Sequence, residues 1–80
     1  MITVRFFAST RELLGTDLLE IEDASLSVAG LRAKLISHGA NWERGLANSL
    51  VAVNQVMVAD EQQTLIAGDE VAFFPPVTGG

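Results

Sequence analysis

The sequence contains no cysteine and only one histidine among its 80 residues. Without cysteine, the chain cannot supply disulfides, thiolate ligands for zinc or ligands for an iron–sulfur cluster. Small secreted domains usually depend on disulfides for stability. A cysteine-free chain of this length is therefore expected in the cytoplasm.

Side chains suited to catalysis are equally scarce. His38 cannot be paired with a serine or threonine and an orienting acid on sequence evidence, and there is no thiol nucleophile. One histidine with scattered carboxylates does not make a transition-metal site. We therefore expect His38 to lie at a helix C-terminus, where positive charge is favourable, and we expect the chain itself to bind no metal or cofactor.

Basic residues are outnumbered, with five Lys and Arg against ten Asp and Glu and a net charge of −5. Phosphate backbones repel such a chain, so we expect no nucleic-acid partner. No apolar run approaches the roughly 20 residues of a membrane span, and the N-terminus lacks a signal-peptide pattern. We therefore expect no membrane association, and the acidic surface favours basic partner surfaces.

Apolar residues alternate with polar ones in several short segments, which is typical of half-buried strands. Five strands are predicted: Ile2–Ala8, Leu18–Glu22, Leu50–Asn54, Val56–Ala59 and Glu70–Phe74. The polar pair Asn54 and Gln55 predicts a turn. Pro75 predicts the end of the last strand, because proline cannot donate to a sheet.

The main helix is predicted over Val28–His38, with Ser27 as its N-cap and Val28, Leu31 and Leu35 on the core face. Ser9 and Glu12 have the spacing of a capping box that would open a short helical turn ending at Gly15. A second short helix over Trp42–Ala47, capped by Asn41, is a further possibility.

This element order predicts an α+β domain, with a mixed sheet of about five strands and one main helix packed on one face. The order matches the β-grasp arrangement of ubiquitin-like proteins. We expect the β-grasp domain to span residues 1–74 and an extended C-terminal tail to span residues 75–80.

The tail has a composition suited to reaching away from the domain. Pro75 and Pro76 favour an extended chain, and the residues beyond Phe74 could reach on the order of 20 Å. Gly79 and Gly80 carry no Cβ and can pass through a narrow tunnel. The only charge is the terminal carboxylate. The tail thus predicts an arm that delivers its carboxylate into another protein's active site; a frayed terminus is the competing interpretation.

Residues 68–80 resemble the end of the small, sulfur-carrying subunit of molybdopterin synthase. The segments Val4–Ala8, Arg11–Gly15 and Val51–Asn54 resemble that family too. The resemblance extends over the whole chain, and its specific part is the tail.

The resemblance implies that a partner enzyme adenylates Gly80 with ATP and that a sulfur donor protein supplies the sulfur of a thiocarboxylate. Gly79 would give clearance, and Pro75, Pro76, Val77 and Thr78 would be the part inserted into the partner. The large subunit of the synthase would then receive the sulfur for cyclic pyranopterin monophosphate. The implied assembly is a heterotetramer with two copies of each subunit.

Docking also requires a surface on the domain. Strand alternation predicts that Phe7 and Phe74 point away from the core and form one apolar patch on neighbouring strands, with Arg5 and Arg11 at its rim. The alternative is that Trp42 or the loop around Leu65 and Ile66 covers both rings. Trp42 itself is interpreted as a lid on the core.

Three other functions remain open at this point. Sulfur carriers of the thiamine pathway also end in Gly-Gly on this fold, but they tend to be shorter and to lack the Phe-Phe-Pro-Pro segment. A ubiquitin-like modifier that is conjugated to lysines shares the chemistry of the tail. The third alternative is an interaction domain with an inert end.

Overall fold

The computed structural model describes residues 1–22 and 26–76 of the chain. Its elements, in chain order, are β1 (Ile2–Phe6), α1 (Ala8–Leu14), β2 (Leu18–Ile21), α2 (Val28–Ile36), α3 (Ala40–Leu46), β3 (Leu50–Val53), β4 (Val56–Met57) and β5 (Glu70–Phe74). The predicted strands are all found, although most of them are shorter than their sequence patterns indicated.

The strands form one mixed sheet in the order β2-β1-β5-β3-β4. The first and last strands are parallel neighbours, with Phe6 beside Phe73, while the other pairs are antiparallel. The predicted five-stranded mixed sheet is therefore confirmed. The sheet places β5 at its centre, and the chain leaves this central strand toward the tail.

One face of the sheet carries the hydrophobic core. The residues predicted for that face on β1 and β5, which include Phe6 and Phe73, are almost completely buried. They form one cluster with the predicted core residues of α2, namely Val28, Leu31 and Leu35. Burying such side chains contributes about 1.5–3 kcal/mol each relative to exposure, so this cluster is the main source of stability.

The sequence patterns misplaced the start of α1. Ser9 and Glu12 do not form a capping box, because the helix begins at Ala8 and its N-cap is Phe7, which makes no side-chain capping bond. The Phe7 N–H donates to the Phe73 carbonyl, so sheet pairing keeps the chain extended through Phe7. Ala8 then turns the chain with a φ of 54°, and Ser9 falls inside the helix.

The α2–α3 connection is also tighter than predicted. The N-cap function of Ser27 is confirmed, since its side chain accepts a hydrogen bond from the Gly30 N–H, but α2 ends at Ile36 and not at His38. The next helix begins at Ala40 with Gly39 as its N-cap, so Asn41 is not the cap. Gly39 adopts a φ of 154°, which lets two helices follow each other almost directly. Residues 1–22 and 26–76 thus contain three helices, of which α2 is the longest.

A polar network fixes the start of β5. Asn54 and Gln55 form the predicted turn between β3 and β4, with φ values of 51° and 69°. The buried carboxylate of Asp69 accepts hydrogen bonds from Asn54 Nδ2 at 3.0 Å and from the Ile66 N–H at 2.9 Å. The Glu70 N–H donates to Asn54 Oδ1 at 3.0 Å, so the turn and the beginning of β5 are held together.

Candidate functional site

The last described residues leave the middle of the sheet. Strand β5 pairs with β1 on one side and β3 on the other, and it ends at Phe74, which lies opposite Leu50. Pro75 and Pro76 follow outside any helix or strand. The remaining predicted site residues, Val77, Thr78, Gly79 and Gly80, lie outside the described residues. A chain segment that starts from a central strand has a fixed point of departure.

Aromatic packing holds that point of departure. The Phe73 ring is fully buried and stacks on Phe6, with ring centroids 6.1 Å apart and planes 17° apart. Phe6 also meets the edge of Trp42 at 5.7 Å, so Trp42 packs on the core as predicted. The strand that leads into Pro75 is therefore tied to the core one residue before the outward-facing Phe74.

The Arg32 side chain adds a polar clamp beneath Phe73. Its guanidinium carbon lies 5.4 Å from the centroid of the Phe73 ring. Nε and Nη2 donate to the two carboxylate oxygens of Glu61 at 3.0 and 2.7 Å. Nη1 donates to the Leu46 carbonyl and to Ser49 Oγ. The clamp joins α2, the end of α3, the loop around Glu61 and β5.

Sequence reasoning missed the Arg32 clamp. Arg32 lies next to Leu31 on α2, and its position in the helix differs little from that of an ordinary surface arginine. Its acceptors lie 14 to 29 residues further along the chain, so no local spacing pattern marks them. The only feature of the sequence that could have indicated the clamp is that Arg32 adjoins the core face of the main helix.

A groove borders the beginning of the tail. It runs between α1 and α3 and is lined by Leu13, Gly45, Pro75 and Pro76 together with polar side chains that include Arg44. A Cβ added to Gly45 would lie 3.3 Å from Leu13 Cδ2 and 3.4 Å from Leu14 Cδ2, so the missing side chain lets the two helices approach. Pro75 and Pro76 thus form one part of the groove, and two closely packed short helices form the rest of its described walls.

The sheet face opposite the core carries exposed apolar side chains. We define the outer-face patch by its large exposed or half-buried members: Phe7, Leu18, Leu50, Met57 and Phe74. The register aligns Leu18, Arg5, Ala72, Ala52 and Met57 in one row across the five strands. The row is apolar except for Arg5, and Leu50 and Phe74 of the patch lie opposite each other at the end of β5 from which the tail departs.

Phe7 and Phe74 fall on this face, as strand alternation predicted. Phe7 is 45% exposed and Phe74 is half-buried, while their neighbours Phe6 and Phe73 are buried in the core. Trp42 packs against Phe6 on the core side, and Leu65 is a core residue. Trp42 and Leu65 are therefore engaged on the other side of the sheet, and Ile66 is 64% exposed.

Charged side chains border the outer-face patch. Arg5 Nε lies 2.9 Å from the Glu70 carboxylate in an exposed ion pair across β1 and β5. Arg11 is exposed on α1 and lines a shallow surface depression with Gly15, Thr16 and Asp17. Arg11 is thus on the helix that follows Phe7, and the Arg5–Glu70 pair and the exposed Glu20 lie on the same sheet face as the patch.

Among residues 1–22 and 26–76, no three side chains of His, Cys, Asp or Glu are grouped so that they could hold a metal ion. In the same part of the chain, no helix has the length and apolar character needed to cross a membrane.

Known sequences resemble this chain over its full length. The ThiS family matches residues 4–80. The molybdopterin synthase sulfur carrier subunit of Escherichia coli K12 is 46% identical over 82 residues, which covers 100% of both chains. The protein of the same name from Haemophilus influenzae is 44% identical over 82 residues, again covering 100% of both.

A solved structure shares the fold. It is the complex of subunits 1 and 2 of the molybdopterin-converting factor from Helicobacter pylori, and one of its chains superimposes on this one with a TM-score of 0.74 at 25% identity. The superposition covers 99% of this chain and 97% of the other. The fold is therefore the β-grasp fold that the element order predicted.

Proposed function

Because this chain belongs to the ThiS family, in which its full-length relatives are sulfur carrier subunits of molybdopterin synthase, we propose that it carries sulfur for molybdenum cofactor biosynthesis on Gly80. The observation that carries the proposal is the 46% identity over the full length of both chains. The position of β5 at the centre of the sheet supports it, because it gives the tail a fixed origin.

The proposed chemistry uses the terminal carboxylate of Gly80 and no side chain of this domain. A carboxylate oxygen attacks the α-phosphate of ATP on the activating partner, and pyrophosphate leaves. Hydrosulfide delivered by the donor protein then attacks the acyl carbon and displaces AMP, and loss of a proton leaves a thiocarboxylate. Adenylation is needed because a carboxylate oxygen is a poor leaving group. This chain binds no cofactor in the proposal, since ATP belongs to the partner.

The tail residues have separate roles in this proposal. Pro75 and Pro76 start the arm between α1 and α3, and Val77 and Thr78 continue it into the partner. Gly79 gives clearance where a larger side chain would collide with a tunnel wall. The carrier supplies positioning, and its partners supply the charges that stabilise the reacting groups.

The outer-face patch is the proposed docking surface for the large subunit of the synthase. Phe7 and Phe74 lie beside the exit of the tail, so a partner that covers them would also receive the tail. Arg11 lies at the rim of this contact. The Helicobacter pylori relative was solved as a complex of two subunits, which supports a large-subunit partner for this chain. We further propose two copies of each subunit in the assembly, located in the cytoplasm.

A one-residue extension tests the proposal. Adding one alanine after Gly80 should leave the fold intact, because the addition lies beyond β5, and should abolish molybdopterin formation in a strain that lacks its own small subunit. The matched control adds one alanine at the N-terminus, where Met1 is exposed, and should restore cofactor formation. Normal cofactor formation with the C-terminally extended chain would refute the proposal.

The same system separates the alternative functions. Rescue of a strain that lacks the thiamine-pathway carrier, without rescue of the molybdopterin strain, would assign the chain to the thiamine pathway. Isopeptide-linked conjugates that require Gly80 would indicate a protein modifier.

A further inference from the structure

A second surface is formed by strand β2, which lies at one edge of the sheet and also carries Leu18 of the outer-face patch. In the β1–β2 register, the Phe6 N–H donates to the Asp17 carbonyl at 3.1 Å, and Val4 lies opposite Leu19. Hydrogen-bonded and non-bonded pairs alternate in an antiparallel ladder. Glu20, which lies opposite Thr3, therefore directs its backbone N–H and carbonyl away from the sheet.

The two edges of the sheet differ in what they offer to another chain. At β2, the Leu18 carbonyl already accepts a hydrogen bond from Thr16 Oγ1, so within the described part of the chain the outward groups of Glu20 are the ones left for pairing. At the other edge, β4 has only two residues, which is too short to guide a further strand. The pairing groups of β2 thus form the longer of the two open edges.

An apolar groove lies beside this edge. Its floor is formed by Leu19, Ile21 and Leu35, and its far wall by Lys34 and His38 of α2. Leu19 and Ile21 pack against the core yet remain only half-buried, whereas Ile2 and Val4 on the next strand are fully buried. Helix α2 therefore leaves the inward face of β2 partly uncovered, next to backbone groups that need hydrogen-bond partners.

We infer that the β2 edge and its groove bind an extended peptide segment of another protein, with alternating apolar residues and basic flanks. The backbone of the incoming strand would pair with Glu20, and its alternate side chains would cover Leu19 and Ile21. The exposed carboxylates of Glu20 and Glu22 select basic flanks on the β2 side of the groove, whereas Lys34 and His38 line its α2 side.

A second copy of this chain fits the edge less well. Pairing of two β2 strands would bring Glu20 and Glu22 of one copy close to the same residues of the other. Like charges placed opposite each other across strands are destabilising. The glutamates thus disfavour self-pairing while they favour a basic strand, which identifies the occupant as a different chain.

The test is an NMR titration of the full-length, ¹⁵N-labelled chain with a short synthetic peptide in which valine and threonine alternate between terminal lysines. Amide shifts should change at Glu20, Glu22 and along the α2 wall, and should stay unchanged at Leu50 and Met57 on the outer face. The same peptide with glutamates in place of the lysines should bind several-fold more weakly at low salt. Shifts confined to the outer face, or no shifts at all, would overturn the inference.

Two further changes test backbone pairing directly. Glu20→Pro removes the outward N–H without removing a β1–β2 hydrogen bond, and it should weaken peptide binding roughly tenfold. Glu20→Gln keeps the N–H and should weaken binding only about twofold. If Glu20→Pro does not fold, N-methylation of the peptide at the amides that face β2 gives the same test on the unmodified chain. Equal affinity of the N-methylated and unmodified peptides would refute strand pairing.

Discussion

Replacing Arg32 by alanine should destabilise the domain by about 3 kcal/mol, because one side chain joins four separate segments. The Arg32 side chain is only 14% exposed and donates to Glu61, Ser49 and the Leu46 carbonyl while its guanidinium lies over Phe73. Loss of this clamp would also loosen the strand from which the tail departs.

The magnitude follows from what each partner does after the substitution. Glu61 is 39% exposed and regains water, so the lost ion pair counts for about 1 kcal/mol or less. The Leu46 carbonyl still accepts a hydrogen bond from the Ser49 hydroxyl at 3.0 Å, so no buried acceptor is left without a donor. The two hydrogen bonds lost from Arg32 Nη1, to the Leu46 carbonyl and to Ser49 Oγ, cost about 1 kcal/mol each. The contact with Phe73 adds about 0.5–1 kcal/mol.

Urea unfolding followed by tryptophan fluorescence measures this loss, since Trp42 is the only tryptophan and packs against Phe6. In a thermal scan the same change should lower Tm by on the order of 15 °C. Arg32→Lys should recover only part of the stability, because a lysine ammonium cannot make the paired hydrogen bonds that the planar guanidinium donates to Glu61. Arg44→Ala removes an exposed charge of the same sign and should change stability by less than about 0.5 kcal/mol. Equal urea midpoints for Arg32→Ala and Arg44→Ala would contradict a stabilising role of Arg32.

Three further substitutions test other parts of the molecule. Phe7→Asp should weaken binding of the large subunit at least tenfold in calorimetry, because the complex would bury a charge in the outer-face patch. The control variant Ile66→Asp, which changes a side chain exposed on a loop, should bind the large subunit normally. Asp69→Ala should cost about 1–3 kcal/mol in urea unfolding, because it leaves the Ile66 N–H and the Asn54 amide without their acceptor; an unchanged midpoint would contradict the network. Gly15→Ala should cost about 1 kcal/mol by the same measurement, purely from its φ of 73°, since nothing lies within 4 Å of the added Cβ; a stabilised variant would contradict this account.

The strands and the core were predictable because their signal is local. Alternation along β1 and β5 identified Phe6 and Phe73 as core residues and Phe7 and Phe74 as residues of the opposite face, and the burial of each agrees. Such a pattern is specific because a shift by one residue would expose every core side chain.

The helix starts were less predictable because tertiary contacts decide them. Ser9 has the local chemistry of a cap, but pairing of Phe7 with β5 moves the start of α1 ahead of it. The end of α2 depends on how soon Gly39 can start the next helix. The Arg32 clamp joins residues distant in sequence, which no period or motif reveals.

The central claim is that sulfur is carried on the last residue, and intact-mass measurement tests it most directly. The purified chain is incubated with the activating enzyme, ATP and a sulfur source, and fragmentation then locates any change. The account predicts that one oxygen is exchanged for sulfur on Gly80 and that omission of ATP prevents the exchange. An unchanged mass with an activating enzyme that charges a known carrier in parallel, or a sulfur located elsewhere in the chain, would contradict it.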